Sequence, residues 1–335
     1  MKKLSIAIAT AVTALGFATS ATAADKVLVA SHWAGPKHTM ATHVFPWIGE
    51  QLKECSGGSL SVKIENGLAP PPAQYDTIRD GVADLGWIVH GYTPGKFSTT
   101  KLAELPGIPG NADQISGAYQ MTHEKFLAEA KEAKGVQVLA NFVHGPGMLN
   151  TTKEVLSYKD IKGMKLRVGG GVANLVGKAL GAAGVTVPAP AVYETIASGV
   201  AEGVFFPAES LYSFKVAEVA KHSLLNPDGM YTTSFGLIMS NDTYEDLSDE
   251  HKACVEKLRG VDMAKAIGRF WDQADLVGIA NSKKDFNLVV NEASEEERAY
   301  FKEATAGIRA DVLKEVDERG VDAKAALEYL LSNIE

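Results

Sequence analysis

The chain has 335 residues, 46% of them hydrophobic, with 33 basic and 41 acidic side chains and a formal net charge of −8. That acidic balance excludes a nucleic-acid partner gripped through its phosphates. The eight histidines do not exclude a metal by number, but their spacing does. His38 and His43 are five apart, and His123-Glu124 has no second histidine four residues on, so no metal and no cofactor is expected.

The first 23 residues read as a secretory signal. Lys2 and Lys3 form a basic start, an apolar run follows from Leu4 to about Phe17, and Ala21-Thr22-Ala23 is a small-residue cleavage box. The apolar run is too short for a membrane span. Cleavage after Ala23 leaves 312 residues and, without the two lysines, a charge of −10. A periplasmic location and two domains are expected. Cys55 and Cys254 are either a disulfide, which an oxidising compartment favours, or two buried thiols; their spacing does not decide.

In chain order, Lys26 to Ala30 is a short apolar strand and His32-Trp33-Ala-Gly-Pro36 a loop. Met40, Val44, Trp47, Ile48 and Leu52 recur at helical spacing, which predicts a helix from about Thr39 to Lys53. Ser59 to Glu65 alternates as a strand. Tyr75 to Gly81 reads as a helix closed by its glycine, and Asp84 to His90 as a buried strand. This strand–helix alternation predicts an α/β domain with a mostly parallel sheet. A helix from about Asp113 to Lys134 and a strand from Val136 to Phe142 lead into a second α/β domain. Tyr231 to Ser240 is the strand by which the chain returns. From Asp249 the pattern is helical almost to the end, and a long helix through Phe270 and Trp271 is expected to lie across both domains. No internal repeat is apparent. The boundaries this implies are 24–141 with about 232–265 for domain I, and 142–231 with about 266–335 for domain II. Two such domains joined by hinge strands make a cleft that closes on a small ligand.

The segment from Ile161 to Ser210 carries the chemistry. Met164 to Val168 is a strand, Gly169 to Gly171 follow, and Val172 to Leu180 is an apolar helix. Arg167 thus stands at a strand end beside the first N–H groups of a helix, and both favour an anion. The glycines lack the spacing and the lysine of a phosphate loop.

Taken together, the chain resembles the periplasmic solute-binding proteins of tripartite ATP-independent (TRAP) transporters, the DctP type. The resemblance rests on Gly57-Gly58-Ser-Leu-Ser-Val62, Asp80-Gly-Val-Ala-Asp84, Ile161-Lys-Gly-Met-Lys-Leu-Arg-Val168, Gly181-Ala182, Val192-Tyr193 and Ser198-Gly-Val-Ala-Glu-Gly203, in that order. It implies a binding protein and not an enzyme, a two-domain periplasmic-binding-protein-like clam, and a strand-end arginine, here Arg167, on the ligand carboxylate. It also implies delivery to a membrane permease, with no nucleic-acid partner, and a monomer. Phe205-Phe206-Pro207 stands where the family pattern has Glu-Asn-Pro, and His144-Gly-Pro-Gly-Met148 supplies no second arginine. By the resemblance Trp33, Trp87, Tyr92 and Phe206 face the cleft, and Gln74, His90 and Thr233 are candidate polar contacts. An aromatic wall with few polar partners suits an apolar or aromatic monocarboxylate better than a sugar acid. The alternatives are a ligand sensor, or the binding protein of another importer class for a sugar acid or dicarboxylate. A hydrolase is least supported, because no Gly-x-Ser-x-Gly elbow or activated cysteine is present.

Overall fold

The structure is a computed structural model that describes residues 25–334. The signal-peptide reading of residues 1–23 lies outside the described residues. The first part of the chain forms β1 (Lys26–His32), α1 (Phe45–Cys55), β2 (Leu60–Asn66), α2 (Gln74–Arg79), β3 (Leu85–Val89), α3 (Ala112–Lys125) and β4 (Val136–Val143). Next come β5 (Met148–Thr151), β6 (Lys165–Val168), α4 (Gly171–Ala179), β7 (Ala183–Thr186), α5 (Val192–Ala197), β8 (Gly203–Phe206), α6 (Ala208–Ser213) and β9 (His222–Leu225). The remainder is β10 (Ser234–Ser240), α7 (Asn241–Asp246), α8 (Asp249–Leu258), α9 (Val261–Phe286), β11 (Val289–Glu292), α10 (Glu295–Asp317) and α11 (Ala323–Ser332).

Two mixed sheets result, in the orders β2-β1-β3-β10-β4 and β11-β9-β5-β8-β6-β7. The parallel core of each sheet is as expected, but each also holds a strand antiparallel to its neighbours. β10 lies antiparallel between β3 and β4, and β5 lies antiparallel between β8 and β9. The four-residue strands β5, β9 and β11 are too short for alternation to reveal them. β11 also interrupts the helical reading of the C-terminal part. Asn287, in the left-handed region at φ 58°, ends α9 and turns the chain into it.

The sequence does contain an internal repeat, contrary to the first reading. Residues 70–84 and 188–202 share Pro-x-Pro-Ala-x-Tyr-x-Thr-Ile followed by Gly-Val-Ala and an acid. Each copy folds as a 3-10 turn, a six-residue helix and a strand. Gly81 (φ 70°) and Gly199 (φ 75°) make the same left-handed turn after the helix. The acid then closes onto the neighbouring parallel strand: Asp84 accepts from the Val29 amide (2.7 Å) and Glu202 from the Lys165 amide (3.0 Å).

Helix α9 docks on both halves, as expected. It bears two glycines where neighbours come closest: a Cβ at Gly268 would sit 2.5 Å from the Ala112 carbonyl, and one at Gly278 2.6 Å from the Ala208 carbonyl. Beside them Asp272 accepts from Ala112 and Asp113 at the start of α3 (2.7 and 3.0 Å), and Asp275 accepts from Glu209 at the start of α6 (2.7 Å). One helix therefore caps a helix of each half with a carboxylate. Cys55 and Cys254 are joined in a disulfide that ties α1 to α8, with Cα atoms 5.7 Å apart. Among the described residues no helix is long and apolar enough to cross a membrane.

Candidate ligand-binding site

Arg167, the third residue of β6, is 2% exposed. Its Nε donates to the Val187 carbonyl (2.9 Å) and its Nη2 to the Tyr92 hydroxyl (3.1 Å), an oxygen that also accepts from the Ala189 amide (2.9 Å). Nη1 has no protein acceptor, and no carboxylate pairs with the guanidinium among the described residues. Gly169 leaves open the space beside it: a Cβ there would lie 3.3 Å from Nη1. A buried cation held in place from one side only is an anion site in waiting.

The start of α4 is not the second half of that site, and this corrects the sequence reading. Two of the N–H groups at its start are already taken by protein oxygens. Gly170 donates to Asn174 Oδ1 (3.0 Å) and Val172 to Glu104 Oε2 (2.8 Å). Glu104 is itself buried and also accepts from the Ser234 amide (3.0 Å) and hydroxyl (2.6 Å). Gly171 is required because a Cβ there would fall 2.1 Å from Glu104 Oε2. The acceptor at that helix end is therefore a side chain of the protein itself.

Arg167 faces a cavity lined mainly by aromatic side chains. Trp33 stacks on Trp87 at 4.1 Å between ring centroids, with its indole N–H on the Trp87 carbonyl (3.2 Å), and the Trp87 N–H is held by His32 Nδ1 (3.2 Å). The remaining wall is a run of neighbouring rings. Phe206 lies 5.2 Å from the guanidinium, Phe214 5.6 Å from Phe206, His38 5.7 Å from Phe214 and Trp271 5.1 Å from His38. His144 follows at 6.1 Å from Trp271, and Tyr231, whose hydroxyl feels the Arg167 charge, at 5.7 Å from His144.

Six of the eight residues named from the sequence line this cavity: Arg167, Phe206, Trp33, Trp87, Tyr92 and Thr233. Gln74 and His90 do not. Gln74 is buried in α2 and donates to the Ala69 carbonyl (2.7 Å); the second copy of the repeat has Val192 there. His90 lies on the other face of the first sheet. Trp87 and Val89 reach the cavity, so the two-residue period of β3 sends Ile88 and His90 the opposite way, into a separate recess with Phe97 and His123. The sequence reading missed His38, Phe214, Tyr231, Phe235 and Trp271, which come from separate elements; only the helical pattern around Trp271 hinted at a bridging role.

Burial lowers the pKa of His38 to about 3 and of His144 to about 4, which leaves both rings neutral. Behind the wall, burial raises Glu209 to about 7 and Asp275 to about 8. Among the described residues lining the cavity, Arg167 alone carries a formal charge. The arrangement holds one anionic group at one end and a flat apolar body between aromatic faces.

Two α/β halves around a cavity with one buried cation and aromatic walls define a solute-binding protein of the cleft type. The chain belongs to the DctP family, described as bacterial extracellular solute-binding protein, family 7, whose model matches residues 30–315. It is similar to a TRAP periplasmic solute-binding protein from Bordetella bronchiseptica solved with bound (R)- and (S)-mandelate, at 34% identity, a TM-score of 0.88, and coverage of 92% of this chain and 98% of that one. A marine-metagenome TRAP solute-binding protein specific for aromatic acid ligands, solved with 3-hydroxybenzoate, is 31% identical with a TM-score of 0.87 over 93% and 98% of the two chains. A curated relative, the outer membrane transporter protein TsaT of Comamonas testosteroni, is 25% identical over 312 residues, 92% of this chain and 91% of that protein.

Proposed function

We propose that this protein captures an aromatic monocarboxylate in the periplasm and hands it to the membrane permease of a TRAP-type transporter. The observation that carries this is Arg167: a buried guanidinium with a free Nη1, no carboxylate opposite, and aromatic walls that offer little else charged. An Arg–carboxylate fork supplies the anion contact, and Tyr92 and Tyr231 stand beside it. A sugar acid needs a buried partner for each hydroxyl, and this lining has few to give. The mandelate and 3-hydroxybenzoate held by similar proteins support the same class. Binding and release, without turnover and as a monomer, follow from this reading.

The two halves proposed to close on the ligand are 24–141 with about 232–265, and 142–231 with about 266–335. The chain crosses between them after β4 and before β10, and α9 bridges both. Thermal unfolding of the mature protein against benzoate, hydroxybenzoates, succinate, glucuronate and benzamide tests the proposal. A ligand at a hundred times its Kd stabilises by about 2.7 kcal/mol, a rise of roughly 5–10 °C for a chain of this size. Aromatic acids are expected to shift the midpoint and benzamide is not. A shift with succinate or glucuronate alone overturns the pocket argument.

A further inference from the structure

The cavity wall contains two polar atoms that the described residues do not satisfy. The Trp271 indole N–H is buried, its residue 1% exposed, and has no hydrogen-bond partner among the described residues. His144 bonds the Gly145 carbonyl through Nδ1. That nitrogen therefore carries the hydrogen, and Nε2 presents a lone pair with no partner among the described residues. The two rings are neighbours, 6.1 Å between centroids, and both line the cavity. Along the run of neighbouring rings, Phe206, Phe214 and His38 stand between Arg167 and Trp271, and Tyr231 adjoins His144.

A buried donor beside a buried acceptor is what a hydroxyl group satisfies. It accepts one hydrogen bond and donates another through a single oxygen. Resting on the aromatic-acid reading, we propose that Trp271 and His144 form a hydroxyl-reading subsite: the indole N–H donates to, and His144 Nε2 accepts from, a hydroxyl carried on the ligand ring away from its carboxylate. The preferred ligand class is then a ring-hydroxylated aryl carboxylate. Burial keeps His144 in the neutral form that this role needs. A plain aryl acid leaves both groups unpaired, which is costly in a water-poor cavity.

The test is calorimetric titration of the mature protein with benzoate and with 2-, 3- and 4-hydroxybenzoate, in wild type and in Trp271→Phe and His144→Phe. At least one hydroxy isomer is expected to bind wild type about tenfold or more tighter than benzoate, and that ratio should fall towards one in each variant. Benzoate and all three isomers binding wild type within twofold of each other would overturn the subsite while leaving the aromatic-acid reading intact, and this arm needs no variant to fold. An unchanged ratio in both variants would overturn the assignment to these residues. Binding of none of the four acids would overturn the aromatic-acid reading itself.

Discussion

The two halves of this protein share a scaffold and divide the chemistry. In the first, β1-α1-β2-α2-β3 sets β1 parallel between β2 and β3; in the second, β6-α4-β7-α5-β8 sets β6 parallel between β7 and β8. The registers match residue for residue. Ala30 and Ser31 pair with Leu85 and Gly86 as Leu166 and Arg167 pair with Gly203 and Val204. The counterpart of Arg167 is therefore Ser31, a buried residue whose hydroxyl has no partner. Trp87 and Val89 face the cavity from the first copy, Phe205 and Pro207 from the same positions in the second. The lesson is that the repeated backbone aims Trp87, Val89, Phe205 and Pro207 at one cleft, whereas Ser31 and Ile88, the counterparts of Arg167 and Phe206, do not line it, so only the second half turns an anion clamp toward the cavity.

The sharpest way to break this asymmetry is to remove the charge. Arg167→Met should cost about 3–5 kcal/mol of binding to an aromatic acid, because the ligand carboxylate would then be buried unpaired. The ligand-free protein should be no less stable, since an uncompensated buried cation has gone. Titration calorimetry and ligand-free urea unfolding read the two effects. Affinity within twofold of wild type would mean that the halves do not differ in the way argued here.

Covalent bracing is the next difference, since the Cys55–Cys254 bridge lies wholly in the first half and closes a loop with a sequence separation of 199. Replacing both cysteines by serine should cost about 2–5 kcal/mol of stability. Denaturant unfolding with and without reductant measures it, and an insensitive midpoint would contradict it.

Acid and alkali should strain the halves differently. Burial lowers His32 and His123 to about 4 and His38 and His90 to about 3, all in the first half, and His144 at the crossover to about 4. The unfolded chain takes up protons at these histidines below their ordinary value of about 6.5, so stability falls as pH drops from there towards 4. Glu209 and Asp275 act in the opposite sense. Raised to about 7 and about 8, they hold protons that the unfolded chain releases, so stability falls as pH rises from about 4 to 8. Five histidines outweigh two acids below 6.5, and above it the acids act alone. The unfolding temperature should peak near pH 6–7, whereas a steady rise from pH 5 to 8.5 would refute this assignment.

How much of this was legible beforehand follows from which interactions are local. Arg167 at a strand end, the α/β alternation and the bridging helix are written in short windows, and so is the aromatic substitution at Phe206. The capping of α4 by Glu104 is not, because 68 residues separate the acid from the amide it accepts. His90 was misplaced by one step of strand alternation, which apolar residues on both faces of β3 conceal. Trp271, His38 and Tyr231 meet only because sheets, helix and crossovers converge. Nothing near any one of them in the chain marks it as a wall of the cavity.

The smallest test concerns the repeat itself. Asp84 and Glu202 occupy equivalent positions, but only the first is doubly engaged. Asp84 accepts from the Val29 amide and from the Thr243 hydroxyl, each at 2.7 Å, so it ties β1 and α7 to the strand it precedes. Glu202 accepts from the Lys165 amide alone, at the exposed end of β6. Hydrogen bonds to a partly buried carboxylate contribute about 1.5–3 kcal/mol, whereas an exposed one is screened to below about 1 kcal/mol. Asp84→Ala should therefore lower the urea midpoint clearly and Glu202→Ala only slightly. Equal losses would mean that the two carboxylates do the same work, and that the halves differ only in what they turn toward the ligand.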